Sequence, residues 1–178
     1  MLLPVHNISH SRINGPGNRI VIWVQGCKFH CKGCFNPETH PYTKKHLMDI
    51  SKLAELINND TTIEGITLSG GEPLDYPKQL ANLFKKLNPR LTIILYSGFN
   101  IDEIDVEPSL KELLKMTDLA IVGRYDENLP HPFLGKKFIL SNNRIDIDYF
   151  NPKHIFEYVL NGDRIVKTGI FPTKEKNN

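Results

Sequence analysis

Three cysteines lie within one stretch of eight residues, and the sequence contains no others. Cys27, Cys31 and Cys34 are spaced as CxxxCxxC. Three thiolates suit a 4Fe–4S cluster in which one iron atom has no protein ligand and stays free to bind a small molecule. Disulfides between such close neighbours would be strained, and a tight cysteine group in a reducing compartment more often binds metal. The spacing therefore favours an iron–sulfur site.

A zinc ion is the alternative occupant of the three cysteines. His30 or His40 would then supply the fourth ligand. Structural zinc sites usually present two ligand pairs, and the sequence has no second pair. The cysteine spacing alone favours the cluster and leaves zinc open. The other histidines are scattered along the chain and are not expected to take part in a site.

The cysteines follow an apolar segment, residues 19–24, that is expected to form a buried strand. Further strands are predicted at residues 65–69, 91–96 and 119–122, and helices at residues 47–58, 77–87 and 109–116. Strands that alternate with helices indicate parallel βαβ units, whose site-forming loops follow the strands. We therefore expect four loops to meet at one edge of one sheet: the cysteine loop, Gly70-Gly71-Glu72, Ser97-Gly98 and Gly123-Arg124.

A second candidate motif, Ser-Gly-Gly-Glu-Pro, occupies residues 69–73, directly after the second predicted strand. Gly70 and Gly71 would let backbone atoms approach a ligand closely. The carboxylate of Glu72 could accept a hydrogen bond from an ammonium group. Taken alone, the motif could equally be an ordinary turn.

In register, the two motifs resemble those of the radical S-adenosylmethionine (SAM) superfamily. Other segments are similar to the activating proteins of anaerobic ribonucleoside-triphosphate reductase, a family of glycyl-radical-enzyme activases. These segments are Asn-Gly-Pro-Gly-Asn-Arg at residues 14–19, Gln-Gly-Cys at 25–27, Gly-Cys-Phe-Asn-Pro-Glu-Thr at 33–39, Tyr-Ser-Gly-Phe at 96–99 and Asp-Leu-Ala-Ile-Val-Gly-Arg-Tyr at 118–125. The resemblance covers residues 12–145.

The resemblance implies an α/β fold, a partial, open (βα)-type radical SAM barrel with mainly parallel strands. It implies that one 4Fe–4S cluster on Cys27, Cys31 and Cys34 cleaves SAM reductively. The product would be a glycyl radical on a large partner, an anaerobic ribonucleoside-triphosphate reductase. A flavodoxin- or ferredoxin-type protein is the expected electron donor. The residues expected to bind SAM are Gly33, Phe35, Asn36, Gly70, Gly71, Glu72 and Ser97.

Two other functions stay open. The chain could be a single-cluster radical SAM enzyme that acts on another protein or on a small molecule such as a deazapurine precursor, or it could be a non-catalytic metal-binding interaction module. It also departs from the resembling proteins at two points. Gly33 stands where many superfamily members have an aromatic residue, so Phe35 is expected beside the adenine. Residues 141–144, Ser-Asn-Asn-Arg, differ from the usual Ser-Ser-Asn-Gln of the activases.

The length of 178 residues predicts one domain, with a core at about residues 12–145 and a C-terminal extension at 151–172. Asn161-Gly162 between two apolar segments predicts a β-hairpin in that extension. A formal net charge of +2 gives no indication of nucleic acid or an acidic membrane as a partner. Neither a secretory signal nor an apolar run of roughly 18 residues is recognisable, so the cytoplasm is the expected location.

Four further polar side chains have open interpretations. Arg19 could meet a SAM carboxylate or the cysteine loop, although an arginine at the start of a strand more often forms a surface ion pair. Asp118 could orient a SAM hydroxyl group or cap a turn. Lys136 and Lys137 are expected on a solvated face, where they could dock an acidic partner.

Overall fold

A computed structural model describes residues 1–43, 46–129 and 132–150, and the backbone of two further strands. The strands are β1 Leu2–Ser11, β2 Arg19–Val24, β3 Leu47–Asp49, β4 Gly65–Gly70, β5 Thr92–Ser97, β6 Leu119–Val122, β7 Lys137–Leu140, β8 Phe156–Asn161 and β9 Arg164–Gly169. The α-helices are α1 Ile50–Asn59, α2 Pro77–Phe84, α3 Ile101–Asp105 and α4 Pro108–Leu114. Short 3-10 helices lie at Pro37–Thr39, Pro73–Asp75 and Ile147–Phe150.

Seven of the strands form one sheet in the order β3-β1-β2-β4-β5-β6-β7. The central strands β2, β4, β5 and β6 are parallel to one another. The outer strands β1, β3 and β7 pair antiparallel, and β3 and β7 do not meet, so the sheet is open. The α/β class and the open architecture are confirmed. The expectation of mainly parallel strands holds only for the centre of the sheet.

Helix α1 begins at Ile50, three residues later than the sequence pattern predicts. Residues 47–49 instead pair with β1 as a short edge strand. Asp49 ends that strand and caps the helix, because its side chain accepts hydrogen bonds from the backbone N–H groups of Ser51 and Lys52. The predicted apolar face keeps Ile50, Leu53 and Ile57 in the core, whereas Leu47 and Leu56 are exposed.

Apolar side chains pack on both faces of the sheet, in a large cluster on one face and a small one on the other. The larger cluster packs the α-helices against one face, and β2 contributes Ile20, Ile22 and Val24 to it. A smaller cluster lies on the other face, built from Ile94, Leu119, Ile121, Ile145 and Phe150. This cluster covers the second face only in part, because Trp23, Ser69 and Tyr96, near the carboxyl ends of β2, β4 and β5 on that same face, line a cavity. A ligand can therefore reach the sheet at the carboxyl ends of the central strands.

The C-terminal extension forms an antiparallel pair of strands, β8 and β9, with Asn161 opposite Arg164. The predicted pairing is thereby confirmed. The connecting residues Gly162 and Asp163 lie outside the described residues. In the part of the chain that the structure describes, no helix combines the length and the apolarity needed to cross a membrane.

Candidate active site

The four predicted loops meet at the carboxyl ends of the parallel strands. β2 leads into Gly26 and the cysteine loop, β4 into Gly71, β5 into Gly98 and β6 into Gly123. Residues of all four loops line one cavity of about 550 Å³. This volume lies within the range of small-molecule sites in proteins.

Nine of the ten residues predicted to bind the cluster or SAM line this cavity. They are Cys27, Cys31, Cys34, Phe35, Asn36, Gly70, Gly71, Glu72 and Ser97. Gly33 is not among the lining residues. It has a φ of +68°, and a β-carbon there would lie 2.6 Å from a carboxylate oxygen of Glu127. Glycine at this position therefore permits a tight turn against Glu127, away from the cavity wall.

Backbone hydrogen bonds hold the cysteine loop in place. The N–H of Cys27 donates to the carbonyl of His40 at 3.0 Å, and the N–H of Gly26 donates to the carbonyl of Thr39 at 2.7 Å. Within the loop, the N–H of Cys34 donates to the carbonyl of Cys31 at 3.2 Å. The residues after the third cysteine thus support the first, which fixes both ends of the loop.

The three cysteines are free thiols, with Cys27 buried and Cys31 and Cys34 partly exposed. Burial raises the pKa of Cys27 and that of Cys34, so a bound cation is needed to hold them as thiolates. Among the described residues, no group of three His, Cys, Asp or Glu side chains is arranged to hold a single metal ion. In a 4Fe–4S cluster each thiolate binds a different iron atom, so the sulfur atoms need only surround a shared volume. The common cavity provides that volume.

Glu72 is almost completely buried and has protein donors on both carboxylate oxygens. Oε1 accepts from the N–H of Leu74 and the hydroxyl of Ser97, both at 2.8 Å. Oε2 accepts from the N–H of Gly98 at 2.7 Å. Burial raises the pKa of Glu72 to about 7. Its carboxylate therefore joins the loop after β4 to the loop after β5 at the cavity wall.

Gly71 approaches the cysteine loop directly. Its N–H donates to the carbonyl of Val24 at 2.9 Å, and the next N–H, that of Glu72, donates to the carbonyl of Gly26 at 2.8 Å. A β-carbon on Gly71 would overlap the carbonyl group of Gly26. The close approach that glycine permits here is therefore between two loops of the protein, beside Cys27.

Lys136 is a cavity residue that the sequence analysis misplaced. It is half-buried and lines the cavity, so its expected position on a solvated face is wrong, whereas Lys137 is exposed as expected. Its ammonium group donates to the carbonyl of Gly123, and burial lowers its pKa to about 8. No carboxylate of the described residues forms a salt bridge with it. Two adjacent lysines at the start of a strand give no signal that separates the buried one from the exposed one.

Arg124 connects two of the loops behind the cavity. Its guanidinium group donates to the carbonyl of Gly98 and to a carboxylate oxygen of Glu103, the latter at 2.8 Å. It also lies 3.5 Å from the ring centroid of Phe29 in the cysteine loop, a cation–π contact. Nearby, the rings of Phe35 and Tyr125 are 4.9 Å apart, and both residues line the cavity.

Arg19 lies at the amino ends of the parallel strands, whereas the cysteine loop lies at their carboxyl ends. It is fully buried, so both interpretations from the sequence, a SAM contact and a surface ion pair, are wrong. It donates to the carbonyl of Ile66 and to the hydroxyl of Thr67 on β4, and to the carbonyl and hydroxyl of Thr92 on β5. Burial lowers its pKa to about 10. The guanidinium group therefore joins three strands at their amino ends.

Asp118 also lies at the amino ends of the strands, directly before β6. Its carboxylate accepts from the N–H of Ile93 at 2.6 Å and from the amide of Asn142 at 2.8 Å, and it pairs with Arg144 at 3.2 Å. These contacts anchor the segment that follows β7 to the start of β6. The partners of its carboxylate are thus a strand N–H and two side chains rather than the backbone of a turn, and Asp118 is not among the residues that line the cavity, so neither interpretation from the sequence describes it.

Comparisons with known proteins agree with this site. The model of a family described as a 4Fe-4S single cluster domain matches residues 13–145, which include all three cysteines and the loops around the cavity. An anaerobic ribonucleoside-triphosphate reductase-activating protein of Enterobacteria phage T4 is 36% identical over 126 residues, 66% of this chain and 78% of that protein. Proteins of the same name from Haemophilus influenzae and Escherichia coli K12 are 33% and 30% identical, over 68% of this chain and 83% and 84% of theirs.

The fold and the site thus define a single-cluster iron–sulfur protein. Within that class, the chain belongs to the family of the anaerobic ribonucleoside-triphosphate reductase-activating proteins. The resemblance read from the sequence motifs is confirmed, and with it the interpretation of the chain as an enzyme.

Proposed function

We propose that this chain is a radical SAM activase. One 4Fe–4S cluster on Cys27, Cys31 and Cys34 cleaves SAM reductively, and the reaction generates a glycyl radical on an anaerobic ribonucleoside-triphosphate reductase. One observation carries the proposal: three cysteines and the loops after β4, β5 and β6 line a single cavity large enough for a nucleoside ligand. The names of the relatives support the identity of the protein substrate.

Cys27, Cys31 and Cys34 would hold the cluster through their thiolates, and three protein ligands would leave room on it for the amino-acid part of SAM. When bound and reduced, the cluster would supply the one electron needed to cleave SAM to methionine and a 5′-deoxyadenosyl group, which would leave as 5′-deoxyadenosine after taking a hydrogen atom from the substrate glycine. The protein contributes binding, orientation and exclusion of competing hydrogen donors.

Residues around the cavity have complementary groups for SAM. The ammonium group of Lys136 is a cation without a carboxylate partner among the described residues, and we assign it to the methionyl carboxylate. The paired rings of Phe35 and Tyr125 offer an apolar surface to the adenine. Asn36, Gly70, Gly71 and Ser97 supply polar and backbone groups along the wall. Glu72 contributes to SAM binding indirectly, because its hydrogen bonds hold the loops after β4 and β5 in position.

The open sheet fits a protein substrate. We interpret it as a partial radical SAM barrel, whose missing side gives a loop of the reductase access to the cavity. Phe35, at the cavity wall, keeps 52% of its surface exposed, so the site is not sealed by the chain itself. We place the protein in the cytoplasm, where free thiols such as these three persist. A flavodoxin- or ferredoxin-type protein of that compartment would deliver the electron.

Anaerobic reconstitution tests the proposal. The purified chain is expected to bind four iron and four sulfide ions and, with dithionite and SAM, to form 5′-deoxyadenosine and methionine. Cys31→Ala is expected to lose the cluster and SAM cleavage together. A matched control is Ser51→Ala on an exposed position of α1, which leaves both unchanged. A chain that binds zinc and cleaves no SAM would refute the proposal.

A further inference from the structure

His40 has an unusual position in the wall of the cavity. Within the residues that the structure describes, its Nε2 is the one buried side-chain nitrogen or oxygen atom without a hydrogen-bond partner. The residue lines the same cavity as the three cysteines. A buried polar atom without a partner is costly, and proteins seldom keep one unless another group completes it.

The backbone around His40 fixes the residue next to the first cysteine. Its carbonyl accepts from the N–H of Cys27, and its own N–H donates to the carbonyl of Pro37 at 3.1 Å. The imidazole ring stands edge-on to that of His30, with 4.8 Å between the ring centroids. His30 has a φ of +47°, a left-handed conformation that is uncommon for histidine and that lies inside the cysteine loop. Two contacts thus hold the ring of His40 against the loop that carries the thiols.

We propose that Nε2–H of His40 donates a hydrogen bond to a sulfur atom of the bound cluster, at the side of Cys27. Sulfur atoms of an iron–sulfur cluster accept hydrogen bonds, and such bonds raise the reduction potential because the added electron increases the negative charge on sulfur. His40 is then a positioning residue that makes the cluster easier to reduce. The inference rests on the proposed cluster at the three cysteines.

Neutral histidine has this donor available. One ring nitrogen carries the hydrogen in each tautomer, and a hydrogen on Nε2 gives the buried atom its donor. Ligation of a metal by His40 would require the opposite, a bare Nε2.

An electron-paramagnetic-resonance redox titration of the reconstituted full chain without SAM tests the inference. His40→Leu removes the donor and keeps an apolar side chain in the wall. His40→Gln keeps an N–H donor and serves as the conservative variant. His10→Leu is the matched control. His10 lies on β1, is exposed, and pairs with Asp60. It is not among the residues that line the cavity.

We expect His40→Leu to lower the ratio of reduced to oxidised cluster at a fixed potential about tenfold, which corresponds to about 59 mV for one electron. His40→Gln should recover at least half of that shift, and His10→Leu should behave as the wild type. Equal potentials in the wild type and His40→Leu would overturn the inference. Loss of the cluster in both His40 variants would also overturn it, by making His40 a ligand or a folding residue. Failure of the wild type to bind a cluster would instead refute the proposed function.

Discussion

Glu72 and Lys136 illustrate how far a side chain's role depends on its neighbours. The motif predicts that Glu72 lies at the site, and the structure adds that three donors of the protein already occupy its carboxylate. Lys136 belongs to no motif and still lines the cavity, with its ammonium group donating to the carbonyl of Gly123. Sequence spacing identifies residues that the chemistry requires, whereas burial of a lysine depends on the path of the chain around it.

The first prediction concerns pH and Glu72. The pKa of this carboxyl is about 7 in the folded chain, above its ordinary value of 4.5, so the folded state holds the extra proton between these pH values. The stability that the protonated group contributes is present below about pH 4.5 and is lost as the pH rises to about 7, a loss of about 3 kcal/mol. Glu72→Gln cannot titrate and should show no such loss.

Urea unfolding of the cluster-free chain at about pH 5 and about pH 7.5 measures this effect as the difference between wild type and Glu72→Gln. Comparing the two proteins cancels the contributions of the other carboxyl groups. Glu55→Gln, on the exposed side of α1, is the control and should follow the wild type. A difference between wild type and Glu72→Gln that does not vary with pH would contradict the prediction.

The second prediction concerns Lys136. Lys136→Met keeps the apolar stem and removes the charge, so SAM should bind about tenfold more weakly or worse, since a charged hydrogen bond is lost. The iron content should stay at the wild-type level. Lys137→Met is the matched control, because Lys137 is the next residue, the first of β7, and is exposed. Equilibrium binding of SAM to the reconstituted cluster measures the effect, and unchanged affinity in Lys136→Met would show that another group binds the carboxylate.

At the scale of elements, the central strands are the most predictable part. The bounds of β2 and β6 agree with the apolar segments at residues 19–24 and 119–122, because strands buried on both faces are continuously apolar. The outer strands β1, β3 and β7 were not predicted. β1 contains polar residues such as His6 and Asn7, and β7 is partly exposed, so neither has a clear apolar pattern.

The third prediction concerns the contact between two loops. Gly71→Ala should displace the backbone of Gly26 and with it Cys27, because the added carbon overlaps backbone atoms that have no rotamer to adjust. We expect less bound iron per chain and a loss of stability of about 1–3 kcal/mol. Ser51→Ala, at an exposed position of α1, is the control and should keep both the iron content and the stability of the wild type. A full complement of iron in Gly71→Ala would contradict the close contact described above.

At the scale of the whole molecule, the residues that hold the strands together and the residues that form the site lie at opposite ends of the parallel strands. Arg19 and Asp118 hold the strands at one edge, and the cysteine loop and its three neighbouring loops form the cavity at the other. We propose that the match of residues 13–145 to the single-cluster family delimits the functional core. The β8–β9 pair lies beyond that match, and its sequence suggested a hairpin but no chemistry.

The glycyl radical itself is the most direct test of the central claim. The reconstituted chain is mixed with dithionite, SAM and the anaerobic ribonucleoside-triphosphate reductase of the same cell, and the electron-paramagnetic-resonance spectrum is recorded. The account predicts the doublet of a glycyl radical on the reductase, formed with one 5′-deoxyadenosine per radical and absent with Cys31→Ala. Cleavage of SAM without any doublet would contradict the activase function and indicate a different substrate for the same site.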